Sequence, residues 1–101
     1  MIETDEGNTN EVQLSGLLVC ESEEDAKIIK DFLPEHMRLS QEEEGCMSFD
    51  VSPTENPLVW RVQERFRDAE AFGFHQQRTR VSAWWAATAH IPRKFEVIGL
   101  G

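Results

Sequence analysis

Residues 58–66, Leu-Val-Trp-Arg-Val-Gln-Glu-Arg-Phe, alternate without a break. Leu58, Trp60, Val62, Glu64 and Phe66 fall on one side, and Val59, Arg61, Gln63 and Arg65 on the other. Successive side chains of a strand point to opposite faces, so the segment predicts a two-faced strand. One face carries aromatic and aliphatic groups plus a single carboxylate; the other carries long arginines, whose aliphatic stems suit a half-buried, pair-rich surface. Asp68 follows at once as an N-cap for a helix from Ala69 to about Gln77. A strand running straight into a helix constrains the chain to a small layered α+β domain.

The remaining segments fit around that strand. Val12 to Cys20 begins with alternation and ends in an apolar run, as a central strand would. Ser22 offers an N-cap with Asp25 three residues on, and Ala26, Ile29, Leu33 and Met37 repeat at helical spacing. Pro34 interrupts that helix and is expected to kink it or restart it. The acidic run to Glu44 ends at Gly45, expected to supply a left-handed turn. Cys46 to Val51 reads as a strand, and Ser52 to Pro57 as a hairpin loop marked by two prolines. A further helix, about Thr79 to Ala89, carries Val81, Trp84, Trp85 and Thr88 toward one stripe before Ile91-Pro92 stops it. Lys94 to Ile98 is the last strand. The order βαββααβ predicts a ferredoxin-like antiparallel sheet with helices on one face. Residues 1–11 read as a flexible acidic tail and 12–101 as a single domain.

Charge is unevenly spread in this chain of 101 residues with net charge −9: residues 1–50 hold 14 acids and 3 bases, residues 51–101 hold 5 and 7. An acidic first half argues against nucleic acid as a partner, because the phosphate backbone rewards clustered Lys and Arg. Arg61, Arg65, Arg67, Arg78 and Arg80 form the basic concentration and are expected to pair with the acidic half. There is no run of about 18 apolar residues, so no membrane span, and the polar N-terminus does not read as a secretory signal. Cys20 and Cys46 read as small buried hydrophobes of a reduced, cytoplasmic protein. At this size a core is small, and a second copy is the ordinary way to complete one.

Two stretches taken together, Glu43-Glu-Gly-Cys-Met-Ser-Phe49 and Glu64-Arg-Phe-Arg-Asp-Ala-Glu-Ala-Phe-Gly-Phe-His75, in this order and separation, resemble the antibiotic biosynthesis monooxygenase (ABM) domain. The resemblance covers Val12 to Val97. It implies a dimeric α+β barrel, built by stacking two sheets, and a monooxygenase working without metal or flavin on a small aromatic or quinol substrate. It equally admits a non-catalytic dimeric module that binds a small apolar ligand or serves as an accessory subunit. The family's polyketide-tailoring branch uses tyrosine, tryptophan and asparagine around a phenol. Here tyrosine is absent, and Asn8, Asn10 and Asn56 lie in the tail and the hairpin loop. The haem-degrading branch uses a first-strand asparagine and a late-helix histidine, and the matching positions are near Gly16 and Trp85, which argues against haem.

Three residues are candidates for acid–base chemistry. Glu64 lies on a core face, and His75 sits three residues after Phe72 on the inward stripe of its helix. Both are expected to be buried and each hydrogen-bonded, either as a base for deprotonating a phenol or as a pin between helix and sheet. His36, one residue off the Leu33/Met37 stripe, is the third. Trp60, Phe49, Trp84 and Phe72 are candidates to line an aromatic site, with core filling as the alternative. Trp84 and Trp85 lie about 100° apart on a helix, so only one can face the sheet squarely. His90, near Pro92, reads as a cation at a helix C-terminus. The three histidines have no metal-site spacing. An open cavity holding a histidine between sheet and helix would favour the enzyme; a core closed by tryptophans would favour the binding module.

Overall fold

The computed structural model describes residues 10–100. Four strands, β1 (Val12–Val19), β2 (Cys46–Pro53), β3 (Val59–Phe66) and β4 (Arg93–Ile98), form one antiparallel sheet in the order β2-β3-β1-β4. Helices α1 (Glu23–Gln41), α2 (Ala69–Arg80) and α3 (Ala83–Thr88) complete a βαββααβ chain. This is the α+β, ferredoxin-like layout that the segment order predicts, with the helices on one face of the sheet.

The alternation of β3 is realised residue by residue. Trp60, Val62, Glu64 and Phe66 are buried, while Arg61, Gln63 and Arg65 are exposed. Val12, Leu14 and Leu18 from β1 and Phe49 and Val51 from β2 join them beneath Ile29 and Leu33 of α1. Each such side chain taken from water contributes about 1.5–3 kcal/mol. The caps are as read: Ser22 accepts from the Asp25 N–H at 3.2 Å, and Asp68 from the Ala71 N–H at 2.8 Å.

Four local expectations are corrected. Pro34 does not restart α1, which runs through it as a single 19-residue helix; the proline lies on its exposed side, where solvent can serve the freed Lys30 carbonyl. Gly45 is not in the left-handed region, which among the described residues holds Gly16 and Gly99. The need for glycine at 45 is steric: a Cβ would lie 2.3 Å from the Cβ of Ala71, so the α1–β2 turn can press against α2. The last helix begins at Ala83 behind a Ser82 cap, and Val81 is exposed outside it because α2 runs on to Arg80. His90 caps no helix; its Nε2 is 2.9 Å from Asp25 Oδ1, tying the end of the α3 region to the start of α1.

The edge strand β4 pairs only with β1, and its helix-side residues Phe95 and Val97 remain 37% exposed. The helices therefore leave an opening along that edge. Among the described residues, no helix is long and apolar enough to cross a membrane. The expected tail falls largely outside the described residues, but Glu11 is held by Arg65 through two hydrogen bonds of 2.6 and 3.0 Å.

Candidate active site

Between the sheet and the helices, opening past β4, lies a cavity of about 180 Å³. Its floor is Leu14, Leu18, Val51, Val62 and Glu64; its walls are His36, Phe49, His75 and Trp84, and Trp85, Arg93 and Phe95 stand toward the open edge. The chain thus brings His36, Glu64 and His75 to one space, together with Phe49 and Trp84. Trp60 and Phe72 are elsewhere: both are buried, Phe72 against Phe66, and neither lines the cavity. Gly16 matters here, because a Cβ on it would meet the Lys94 carbonyl at 2.1 Å and Phe95 at 2.8 Å, so no larger residue fits opposite that wall.

His75 is 2% exposed and firmly held. Its Nδ1 is 3.1 Å from both carboxylate oxygens of Glu43, and its Nε2 is 3.3 Å from Thr79 Oγ1. Glu43 also accepts from Arg78 Nε at 2.5 Å, and Arg78 Nη2 donates to Ser40 Oγ at 2.9 Å. Burial pushes the pKa of His75 down, against the pull of the Glu43 carboxylate. Glu64 does not make the expected hydrogen bond. Its Oε1 lies 3.7 Å from His75 Nε2, and that oxygen is buried without a partner. Desolvation, reinforced by the nearby charge of Glu43, raises its pKa from 4.5 to about 8. A buried carboxyl without donors relieves the cost by keeping its proton.

His36 is the contrast. It stacks on Trp84 at 4.9 Å with the rings 2° from parallel, and its edge meets Phe49. Burial, helped by the positive surroundings, drops its pKa to about 3, so the ring is neutral at any physiological pH. Its Nδ1 is buried and unpartnered. Toward the open edge, Arg93 is fixed by bonds to the Thr88 and Ile91 carbonyls at 2.8 and 3.0 Å and lies over the Trp85 ring at 4.9 Å. Among the described residues, no group of three His, Cys, Asp or Glu side chains is arranged to hold a metal ion.

The sequence profile of the antibiotic biosynthesis monooxygenase family matches residues 21–87. The chain belongs to that family. No curated protein is significantly similar in sequence. Among solved structures, this ABM chain is similar to a candidate antibiotic biosynthesis monooxygenase from Deinococcus radiodurans, with 22% identity over 89% of this chain and 92% of that one and a TM-score of 0.75. It is also similar to a conserved protein from Methanosarcina mazei, with 13% identity over 90% and 93% and a TM-score of 0.77. A candidate antibiotic biosynthesis monooxygenase from Nitrosomonas europaea gives 18%, 88%, 96% and 0.75. At these identities the likeness fixes the ABM fold and leaves chemistry to the side chains.

One residue that holds this ABM cavity's His75 from behind, without lining the cavity itself, is not evident from the sequence. Glu43 stands between Glu42 and Glu44 in a run that reads as a solvated helix end, yet its side chain is only 5% exposed. The available signal was on α2: His75 and Arg78, three residues apart on one helix stripe, both require an acceptor from another element.

Proposed function

We propose that this ABM protein is a monooxygenase that oxidises a small phenol or quinol in the helix–sheet cavity, without metal or flavin, with His75 as the base. The observation that carries the reading is one buried imidazole with a carboxylate on Nδ1 and its Nε2 toward the cavity. Volume supports the substrate class: a cavity of about 150 Å³ with apolar walls holds one benzene ring, so about 180 Å³ suits one ring with its oxygens. His36 Nδ1 and Glu64 Oε1, buried in the same walls without partners, are the two points where substrate oxygens would bond.

The chemistry follows from the proton. His75 Nε2 takes the hydroxyl proton, and the resulting phenolate passes one electron to dioxygen far more readily than the phenol does. The radical and superoxide join at a ring carbon, forming a C–O bond. Loss of that carbon's proton with cleavage of the O–O bond gives the quinone and water, the proton held by His75 going to the departing oxygen. Phenol and dioxygen thus become quinone and water, with both electrons beyond those of the new carbonyl taken from the substrate. Glu43 stabilises the imidazolium while it exists. His36, neutral and stacked, serves as wall and hydrogen-bond partner. Turnover is tested by oxygen uptake with a panel of phenols and quinols after thorough chelation and without added flavin. Uptake slowed by about a hundredfold or more in a folded His75→Ala variant is the expected result.

The second reading, a module that binds a small aromatic ligand without turning it over, rests on the same unpartnered atoms, which call for a ligand whether or not oxygen reacts. Saturable binding without uptake across the panel would select it.

We also propose a homodimer joined through the sheet faces that carry no helices, in the reducing cytosol where Cys20 and Cys46 stay free thiols. Leu17, Val19 and Val59 lie half-buried on that face beside Arg61, Arg65 and Asp50, a mixture suited to a pair-rich contact. Sedimentation should find a dimer at micromolar concentration; a stable folded monomer there would rule it out.

A further inference from the structure

Three neighbouring glutamates close α1, and only the middle one turns inward. Glu42 pairs with Arg38 on the surface at 2.9 Å, and Glu44 is exposed. Glu43 is directed by backbone bonds on both sides of it: its N–H donates to the Ser40 carbonyl, and its own carbonyl accepts from the Cys46 N–H, each at 3.1 Å. The turn is pressed onto α2 by the contact that only glycine at 45 allows, and the Arg67 N–H donates to the Gly45 carbonyl at 2.8 Å. A carboxylate is costly to bury, and a pair with a single arginine would have served at the surface. Here the arginine takes one oxygen from behind, while both oxygens face one nitrogen of His75.

We propose that Glu43, backed by Arg78 and Ser40, is the positioning residue that fixes His75 with the proton on Nδ1 and presents the Nε2 lone pair to the cavity. The two ring nitrogens of a neutral histidine take opposite roles, and the partner of one decides the role of the other. A carboxylate can only accept, so Nδ1 must donate. Nε2 then has only an acceptor's role, and the Thr79 hydroxyl at 3.3 Å is able to donate to it. Glu64, at 3.7 Å, is beyond hydrogen-bond reach of that lone pair, which leaves it open to a substrate hydroxyl. The groups facing His75 are Glu43 from the turn, His36 from α1, Glu64 from β3 and Arg78 from its own helix; Arg93 of β4 acts on Glu64. Glu43 is the one carboxylate among them held in an ion pair. The value of this arrangement for catalysis rests on the phenol-oxidation reading; the arrangement itself does not.

Long-range proton–nitrogen correlation NMR on the ¹⁵N-labelled full chain at neutral pH reads the tautomer directly. For His75 the wild type should show a protonated Nδ1 and an unprotonated Nε2. Glu43→Gln, whose amide can donate as well as accept, should lose that single tautomer, and the midpoint for His75 protonation should move to lower pH. Oxygen uptake, where it occurs, should lose its acid limb to lower pH in the same variant, a shift that simple loosening of the fold would not produce. A wild-type His75 protonated on Nε2, or an unchanged tautomer in folded Glu43→Gln, overturns the proposal; should the variant fail to fold, the wild-type spectrum decides alone. Absence of oxygen uptake with the Nδ1 proton in place would sink the oxidation reading and leave the brace standing.

Discussion

The two histidines of the cavity are equally buried and their ring centroids are 5.8 Å apart, yet they are different chemical objects. His75 has a carboxylate on one nitrogen and a hydroxyl near the other; His36 has the Trp84 ring stacked on one face and nothing on Nδ1. Burial alone makes an imidazole inert, since nothing compensates the lost hydration of its charged form. Burial with a fixed anion leaves it able to take a proton. One part of the cavity lining is thus built to bind, and the part beside it to carry charge for a moment.

The largest effect that separates the two histidines concerns rate. His75→Ala should lower oxygen uptake about 10²–10⁴-fold, the range for loss of a general base. His36→Phe, which keeps the stack on Trp84, should act mainly on KM. Equal losses in kcat from both would erase the distinction. In stability the contrast should reappear. His75→Phe leaves Glu43 and Arg78 without a neutral partner in a buried network and should cost about 3–5 kcal/mol in denaturant unfolding. His36→Phe removes an unpartnered buried nitrogen and should range from neutral to about 1 kcal/mol stabilising.

A Cβ at position 45 tests the turn that carries Glu43. Gly45→Ala should cost about 1–3 kcal/mol as the turn is pushed from Ala71, and it should disturb the His75 tautomer with it. A cost near zero with the tautomer intact would mean that the close approach does not set the wall.

The same contrast predicts a pH optimum of stability. The neutral His36 contributes stability that is full above its ordinary pKa of 6.5 and is lost as pH falls toward about 3. His75, also lowered, adds to that slope. The neutral Glu64 contributes stability that is full below 4.5 and is lost as pH rises toward about 8. Glu11, Asp25 and Glu35, with lowered values, act only in the more acidic range. Stability should therefore peak at about pH 6.5. Glu64→Gln should flatten the alkaline side, and His36→Phe the acid side; an unchanged curve in either would contradict the assignment.

Much of this was legible because periodicity reports faces. Alternation in residues 58–66 turned Glu64 inward, and helical spacing from Phe72 did the same for His75. What periodicity does not report is which residue turns inward once a helix has ended. Glu42, Glu43 and Glu44 are identical in composition, and the cap bonds to the carbonyls of Arg38 and Ser40 select the middle one. The hydrogen bond expected of Glu64 failed for a related reason: a strand face fixes direction, not distance, and the carboxyl stops 3.7 Å from the histidine. Trp60 and Phe72 were rightly turned to the core, but their place along it, away from the cavity, is a tertiary fact.

In the proposed function, the cavity lined by both His36 and His75 receives a small oxygen-bearing ring. The direct measurement is an anaerobic titration of protein labelled with ¹⁵N-histidine, using hydroquinone and following the ring signals of all three histidines. His36 and His75 should shift together and saturate at one concentration, while His90, which is 57% exposed and paired with Asp25, should stay unmoved. Saturable binding that moves only His90, or no response of His36 and His75 up to the solubility of the probe, would contradict it.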